Sequence, residues 1–169
     1  MADPKHIVRT GETDWSQAFR GKHPFNPASE MRILVLGGPS GLKRIGASLI
    51  RIPPGKESFI PHAHTLSEEF VFVLEGHGEA VLDGVAHPIG PGDFVGFPCD
   101  GVVHSVRSVG PGDLTYLTAG EHSGGIEIAD MPTIGKTTVF RNGRIELFGD
   151  DGVERLTMEE WMARTRIEA

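Results

Sequence analysis

Between residues 45 and 119, short runs rich in β-branched and aromatic residues alternate with turns built from Gly, Pro and Asp. This punctuation constrains the fold more than any other feature of the chain. The runs are 45–52, 59–64, 69–74, 79–82, 93–97, 102–106 and 114–118, each too short for a packed helix and spaced as the strands of a sandwich or barrel are. The 23 Gly and 12 Pro are spread along the chain rather than pooled in one linker, which favours an all-β architecture throughout.

The flanks fit that reading. Residues 31–37 predict a strand closed by Gly37-Gly38-Pro39-Ser40-Gly41. This glycine cluster lacks the Lys-Ser/Thr of a phosphate loop, and it ends a strand instead of opening a helix. Residues 138–148 predict a hairpin around Asn142-Gly143, the favoured tight-turn pair. The one convincing helix follows Thr157, which has Glu160 at capping-box spacing and then Trp161 and Met162. Residues 1–30, broken by Pro4, Pro24 and Pro27, read as an extended arm pinned by Trp15 and Phe25.

At 169 residues the chain can fill one core, and one domain is expected: an arm (1–30), a barrel (31–125) and a hairpin with a helix packed on it (126–169). The net charge of −7 argues against a nucleic-acid partner, because Lys43-Arg44 and Arg164 with Arg166 are the densest basic stretches. Cys99, the single cysteine, cannot form an intrachain disulfide and fits a reducing compartment. No run approaches the roughly 20 apolar residues of a membrane helix, and the start of the chain has no apolar signal core. The expectation is a cytoplasmic protein with no membrane partner.

Chemistry concentrates in two places. In an extended segment His62 and His64 share a face with backbones roughly 6–7 Å apart, so their imidazoles can converge on one ion. A short link leads to the adjacent Glu68 and Glu69, which face opposite sides. Glu69 goes with Val71 and Val73, and Glu68 with Phe70, Phe72 and Leu74, so both faces look buried and the pattern does not choose between them. His104, between Val102 and Val106, would bring a third imidazole from across the barrel. Three neutral imidazoles and a carboxylate suit a divalent transition metal. Any one of these histidines alone would read as solvated or structural; the combination carries the inference.

The spacing around them supports a resemblance. One segment runs Gly55, six residues, His62-x-His64, four residues, Glu69, six residues, Gly76. The other runs Gly92, five residues, Pro98, two residues, Gly101, two residues, His104, three residues, Ser108. Together they resemble the two motifs of the cupin superfamily. They depart by one extra residue before His62, one extra residue in the Pro98–Gly101 turn, and Ser108 where the family has Asn. The flanks are also similar to those of small single-domain bacterial cupins. The resemblance implies a double-stranded β-helix (jelly-roll) barrel, selects Glu69 over Glu68, and implies one Mn, Fe, Ni, Co or Zn ion on His62, His64, Glu69 and His104, often in a homodimer.

Four protein ligands on an octahedral ion leave two positions for water, substrate or dioxygen. The leading expectation is therefore a metal-dependent enzyme acting on a small oxygen-rich molecule by dioxygenation, isomerisation or decarboxylation. The alternative is a non-enzymatic cupin that binds or senses a small sugar or carboxylate. Tyr116, Arg51, Glu57 and His122 are weak candidates for acid/base or anion-binding roles. Cys99 reads as an ordinary turn residue, and His77 and His87 as exposed turn residues. A strand apolar on both faces, 70–74, needs a cover on its outer side, and a second copy of the chain is the expected one.

Overall fold

The computed structural model describes residues 5–11, 13–122, 125–149 and 152–167. Pro4 and the three residues before it, part of the expected arm, lie outside these. In chain order the strands are β1 (Phe19–Gly21), β2 (Met31–Val35), β3 (Ile45–Ile52), β4 (Ala63–His64), β5 (Glu69–Glu75), β6 (Gly78–Leu82) and β7 (Val85–Ile89). There follow β8 (Phe94–Phe97), β9 (His104–Ser108), β10 (Leu114–Glu121), β11 (Ile126–Met131), β12 (Lys136–Arg141), β13 (Arg144–Gly149) and β14 (Gly152–Thr157), with one helix, α1 (Met158–Thr165). No helix among the described residues is long and apolar enough to cross a membrane.

Three antiparallel sheets result. The largest runs β1-β2-β3-β10-β5-β8, and a smaller one, β7-β6-β9, faces it. Alternation sorts the residues between them. Val71, Val73, Ile50 and Tyr116 point inward and meet Ala80, Ile89 and Val106 of the smaller sheet in the main core. Their neighbours Phe70, Phe72, Leu49 and Leu117 therefore lie on the outer face of the larger sheet. This is the expected jelly-roll barrel.

The third sheet, β14-β13-β12-β11-β4, is joined to the site by β4, where His64 pairs with Ala129. Ile60, Met131, Leu147 and Leu156 form a second core there, packed against Phe25, Ile134 and Trp161. The predicted hairpin is β12–β13, with Asn142 at φ 51° and Gly143 at φ 72° as a type I′ turn requires. The predicted capping box holds as well: Glu160 N–H donates to Thr157 Oγ1 at 3.2 Å, and Thr157 N–H to Glu160 Oε2 at 2.7 Å.

The arm is pinned as expected. The Arg51 guanidinium lies 4.2 Å over the Trp15 ring, and Phe25 meets Trp161 with centroids 6.5 Å apart. It also contributes a strand the sequence reading did not separate, β1, paired with β2.

Three local expectations need correction. The run at 59–64 is not a regular strand, because Pro61 has no N–H for a ladder, and only Ala63–His64 pairs as β4. Alternation consequently fails before it, and Ile60 enters the second core. His87 lies in β7, an exposed edge strand that tolerates Pro88, not in a turn. His104 does not come from across the barrel. It is the direct antiparallel partner of His62, with hydrogen bonds of 3.1 and 2.8 Å between their backbones.

Candidate metal centre

Each element delivers one or two of the four side chains to a single point. The bridge between residues 62 and 104 sets two imidazoles side by side, with ring centroids 4.6 Å apart. β4 adds His64, 4.9 Å from His62 and 5.5 Å from His104. Glu69 opens β5 on its inner face, in line with Val71 and Val73. Ligand atoms from His62, His64, Glu69 and His104 all lie within 4.8 Å of one another, and His64 Nε2 stands 3.2 Å from Glu69 Oε2. The four residues predicted from sequence are brought together, and alternation on β5 selects Glu69 over Glu68.

The donors are also oriented. His62 Nδ1 meets the Ile60 carbonyl at 2.8 Å and His104 Nδ1 the Val102 carbonyl at 3.1 Å. A carbonyl can only accept, so each Nδ1 carries the proton and each Nε2 presents a lone pair. His64 Nδ1 faces Glu127 Oε1 at 3.5 Å, just beyond good hydrogen-bond reach. Thr118 Oγ1 donates to Glu69 Oε1 at 2.6 Å and fixes that carboxylate. Phe97 stacks on the His104 ring at 4.0 Å with 8° between the planes.

Buried Nε2 atoms of His64 and His104 have no hydrogen-bond partner. Orphaned buried nitrogens are costly in a folded protein, and a metal ion is a partner that would satisfy both. The donor set therefore fits a divalent ion, and these four residues could hold one.

Electrostatics favour the metal-binding protonation states of His62, His104 and Glu69. Burial, with the facing imidazoles of His104 and His64, pushes His62 down to about 3. Burial lowers His104 too, so both rings are neutral at pH 7 with lone pairs available. His64 moves the other way: burial pulls it down, but the Glu69 and Glu127 carboxylates outweigh that and raise it. Burial disfavours the Glu69 carboxylate, yet the neighbouring His64 imidazole and the Thr118 hydroxyl hold its pKa below the usual value.

The weak candidates are placed elsewhere, with one exception. Arg51 lies on the outer face of its sheet, with Nε 3.3 Å from Thr115 Oγ1 and its guanidinium over Trp15. Glu57 accepts from Asn26 at 2.9 Å and ties the arm to the barrel. Tyr116 is buried on the inner face, where desolvation and the Glu69 charge push its phenol well above the ordinary value and keep it protonated. His122 is exposed and lines a cleft of about 500 Å3 that also reaches Glu69. Cys99 is exposed in its turn. Glu127 escaped the sequence reading because β11 lies beyond both motifs. Its signal is the alternation of Ile126, Glu127 and Ile128 in a strand whose partner is β4.

Comparison with known proteins agrees with this geometry. The cupin domain family (Cupin_2) matches residues 48–120, which span β3 through β10. Protein SchB of Streptomyces halstedii is 40% identical over 74 residues, 44% of this chain and 49% of that protein. The chain thus spans about half the length of the curated relative it matches. A crystal structure from Acidithiobacillus ferrooxidans, provisionally named a sugar phosphate isomerase, is 34% identical with a TM-score of 0.81, covering 90% of this chain and 97% of that one. A second, named a sugar phosphate isomerase from a cupin superfamily of Silicibacter pomeroyi, is 28% identical with a TM-score of 0.74, covering 88% and 98%. With both motifs meeting at one four-residue cluster, and a relative of this identity matched over nearly its whole length, the chain belongs to the cupin superfamily.

Proposed function

We propose that the chain is a metal-dependent enzyme that holds one divalent transition-metal ion on His62, His64, Glu69 and His104 and acts on a small oxygen-rich molecule. We read 31–125 as the barrel that carries the site, 1–30 as its arm and 126–169 as its cover. The observation that carries the proposal is the orientation of the donors. The Nδ1 atoms of His62 and His104 are tied to carbonyls and that of His64 faces a carboxylate, leaving the Nε2 atoms to converge beside Glu69.

When bound, the ion supplies Lewis-acid polarisation of a substrate oxygen and lowers the pKa of a coordinated water. The protein supplies the rest. Neutral His62 and His104 offer lone pairs without competition from protons at pH 7. Thr118 keeps Glu69 from swinging into the cleft. His122 lines the cleft beside Glu121, and we read it as the imidazole available to a bound molecule there. Among dioxygenation, isomerisation and decarboxylation, likeness to two structures named sugar phosphate isomerases puts isomerisation first to assay.

The test is metal content and melting temperature of untagged protein, followed by a mass-spectrometric turnover screen. Addition of Mn, Fe, Co, Ni or Zn is expected to raise the melting temperature of the wild type and not of His62→Ala, and turnover is expected to require the ion. Indifference of the melting temperature to every one of these metals, in protein that carries none, would sink the proposal. Tight binding of an unaltered small molecule without turnover would make the chain a binding or sensing cupin.

A further inference from the structure

The cleft that reaches the cluster at Glu69 has a lining that restricts what can enter it. Glu69 and Thr118 lie at its inner end, and Val35, Leu42, Ile45 and Phe59 form much of its wall. Val35, Leu42 and Ile45 are 52%, 47% and 50% exposed, a concentration of apolar surface facing an open space rather than a core. Its volume of about 500 Å3 is in the range of small-molecule sites.

Charge narrows the choice further. Among the described residues, the charged side chains lining the cleft are Glu69 and Glu121. A second hollow of about 380 Å3 touches His64 and Glu69, and its charged lining is Glu68, Glu69, Glu121 and Glu127. Among the described residues, no Lys or Arg side chain lines either space. Lys43 and Arg44 follow Leu42 in sequence but are exposed and line neither. The N-terminus of α1 reaches the second hollow through Met158, but its first turn carries Glu159 and Glu160 and is already capped by Thr157. A phosphate dianion needs guanidinium, ammonium or free helix N–H groups, and beyond the metal it would meet carboxylates here.

We propose that the ligand of this centre is phosphate-free: oxygen donors for the metal carried on a compact, uncharged apolar body that lies along Val35, Leu42, Ile45 and Phe59. The proposal rests on the metal centre proposed above and names the class of molecule it takes. It separates this chain from the phosphorylated substrates in the names of its two similar structures.

Hydroxamates test it, because they bring the same two oxygens to a metal on variable bodies. Affinities of acetohydroxamate, benzohydroxamate and 4-carboxybenzohydroxamate for the cobalt- or nickel-loaded full chain would be measured by calorimetry. Burial of the phenyl ring is expected to make benzohydroxamate bind about tenfold more tightly than acetohydroxamate. The added carboxylate is expected to cancel most of that gain. Leu42→Ser and Val35→Ser, both at exposed positions, are expected to shrink the phenyl gain and leave acetohydroxamate unchanged. Equal affinity for the aceto and benzo compounds, or equal or tighter binding of the carboxylated one, overturns the proposal while leaving the metal centre standing. Failure of the metal-loaded chain to bind any hydroxamate likewise overturns the proposal and leaves the metal centre standing, whereas failure to load removes the metal centre and this inference with it.

Discussion

At the scale of single residues, metal binding by the cluster would depend on groups beyond its four donors. Glu127 stands diagonally from His64 across the β4–β11 pair, and its Oε2 is buried without a partner. A carboxylate behind an imidazole fixes the ring and strengthens its donor nitrogen, and losing such a partner typically costs 10–100-fold in metal affinity. Glu127→Gln is therefore expected to weaken metal binding by about tenfold or more, with the apo melting temperature little changed, in a competitive chelator titration. Affinity equal to wild type would show that His64 needs no such partner.

His23 makes a separate case. It is 6% exposed, packed among Phe25, Phe59 and Trp161, and burial lowers its pKa from 6.5 to about 4. Between those values the unfolded chain binds a proton that the folded one refuses, so stability is complete above pH 6.5 and falls as the pH drops toward 4. The loss from this one ring is roughly 3 kcal/mol, and His23→Phe should flatten that part of the pH–stability curve in urea titrations.

At the scale of elements, turn positions are less tolerant than the site itself. Gly76, between β5 and β6, has φ +79°, and a Cβ there would fall on the Asp113 carbonyl, closer than any real Cβ approaches. Gly76→Ala is thus expected to destabilise the barrel by several kcal/mol, read as a large drop in chemical-denaturation midpoint. Thr157→Ala removes the hydroxyl that accepts from the Glu160 N–H, leaving the backbone N–H bond to Glu160, and should cost about 1 kcal/mol, a fall of roughly 2–4 °C in melting temperature.

These positions also mark how far the sequence could be read. Gly76, the Asn142-Gly143 turn and the Thr157–Glu160 box were legible because each is a local rule linking residue type to backbone shape. The four cluster residues were legible as motif spacing, and the choice of Glu69 followed from face alternation once the inner face was known. The neighbourhood of Pro61 was not, because a break in the ladder resets which side chain points where. Neither the direct pairing of His62 with His104 nor the approach of Glu127 to His64 could be read, since both are decided by which distant strands become partners.

At the scale of the molecule, the outer face of the large sheet carries an apolar stripe that crosses five strands in register. Leu34 pairs with Leu49, Leu49 with Leu117, Leu117 with Phe72, and Phe72 with Phe94. Phe94 is 63% exposed and stacks on Phe70 at 5.0 Å, beside Leu74, which is 41% exposed. Aromatic rings gathered on an exposed sheet face are the usual anchors of a protein interface, and no other segment among the described residues covers Phe94. A homodimer through this face is the expected assembly, with a light-scattering mass of about twice the 18.2 kDa chain at micromolar concentration. Phe94→Glu places a charge at the β8 end of the stripe, within the surface a dimer would bury, and is expected to yield a monomer that still binds metal, because Phe94 lies on the opposite face of its sheet from Glu69. Wild-type protein that is monomeric at such concentrations would refute the dimer. A Phe94→Glu protein that stays dimeric would move the interface to another face, and the stripe would then need a different cover.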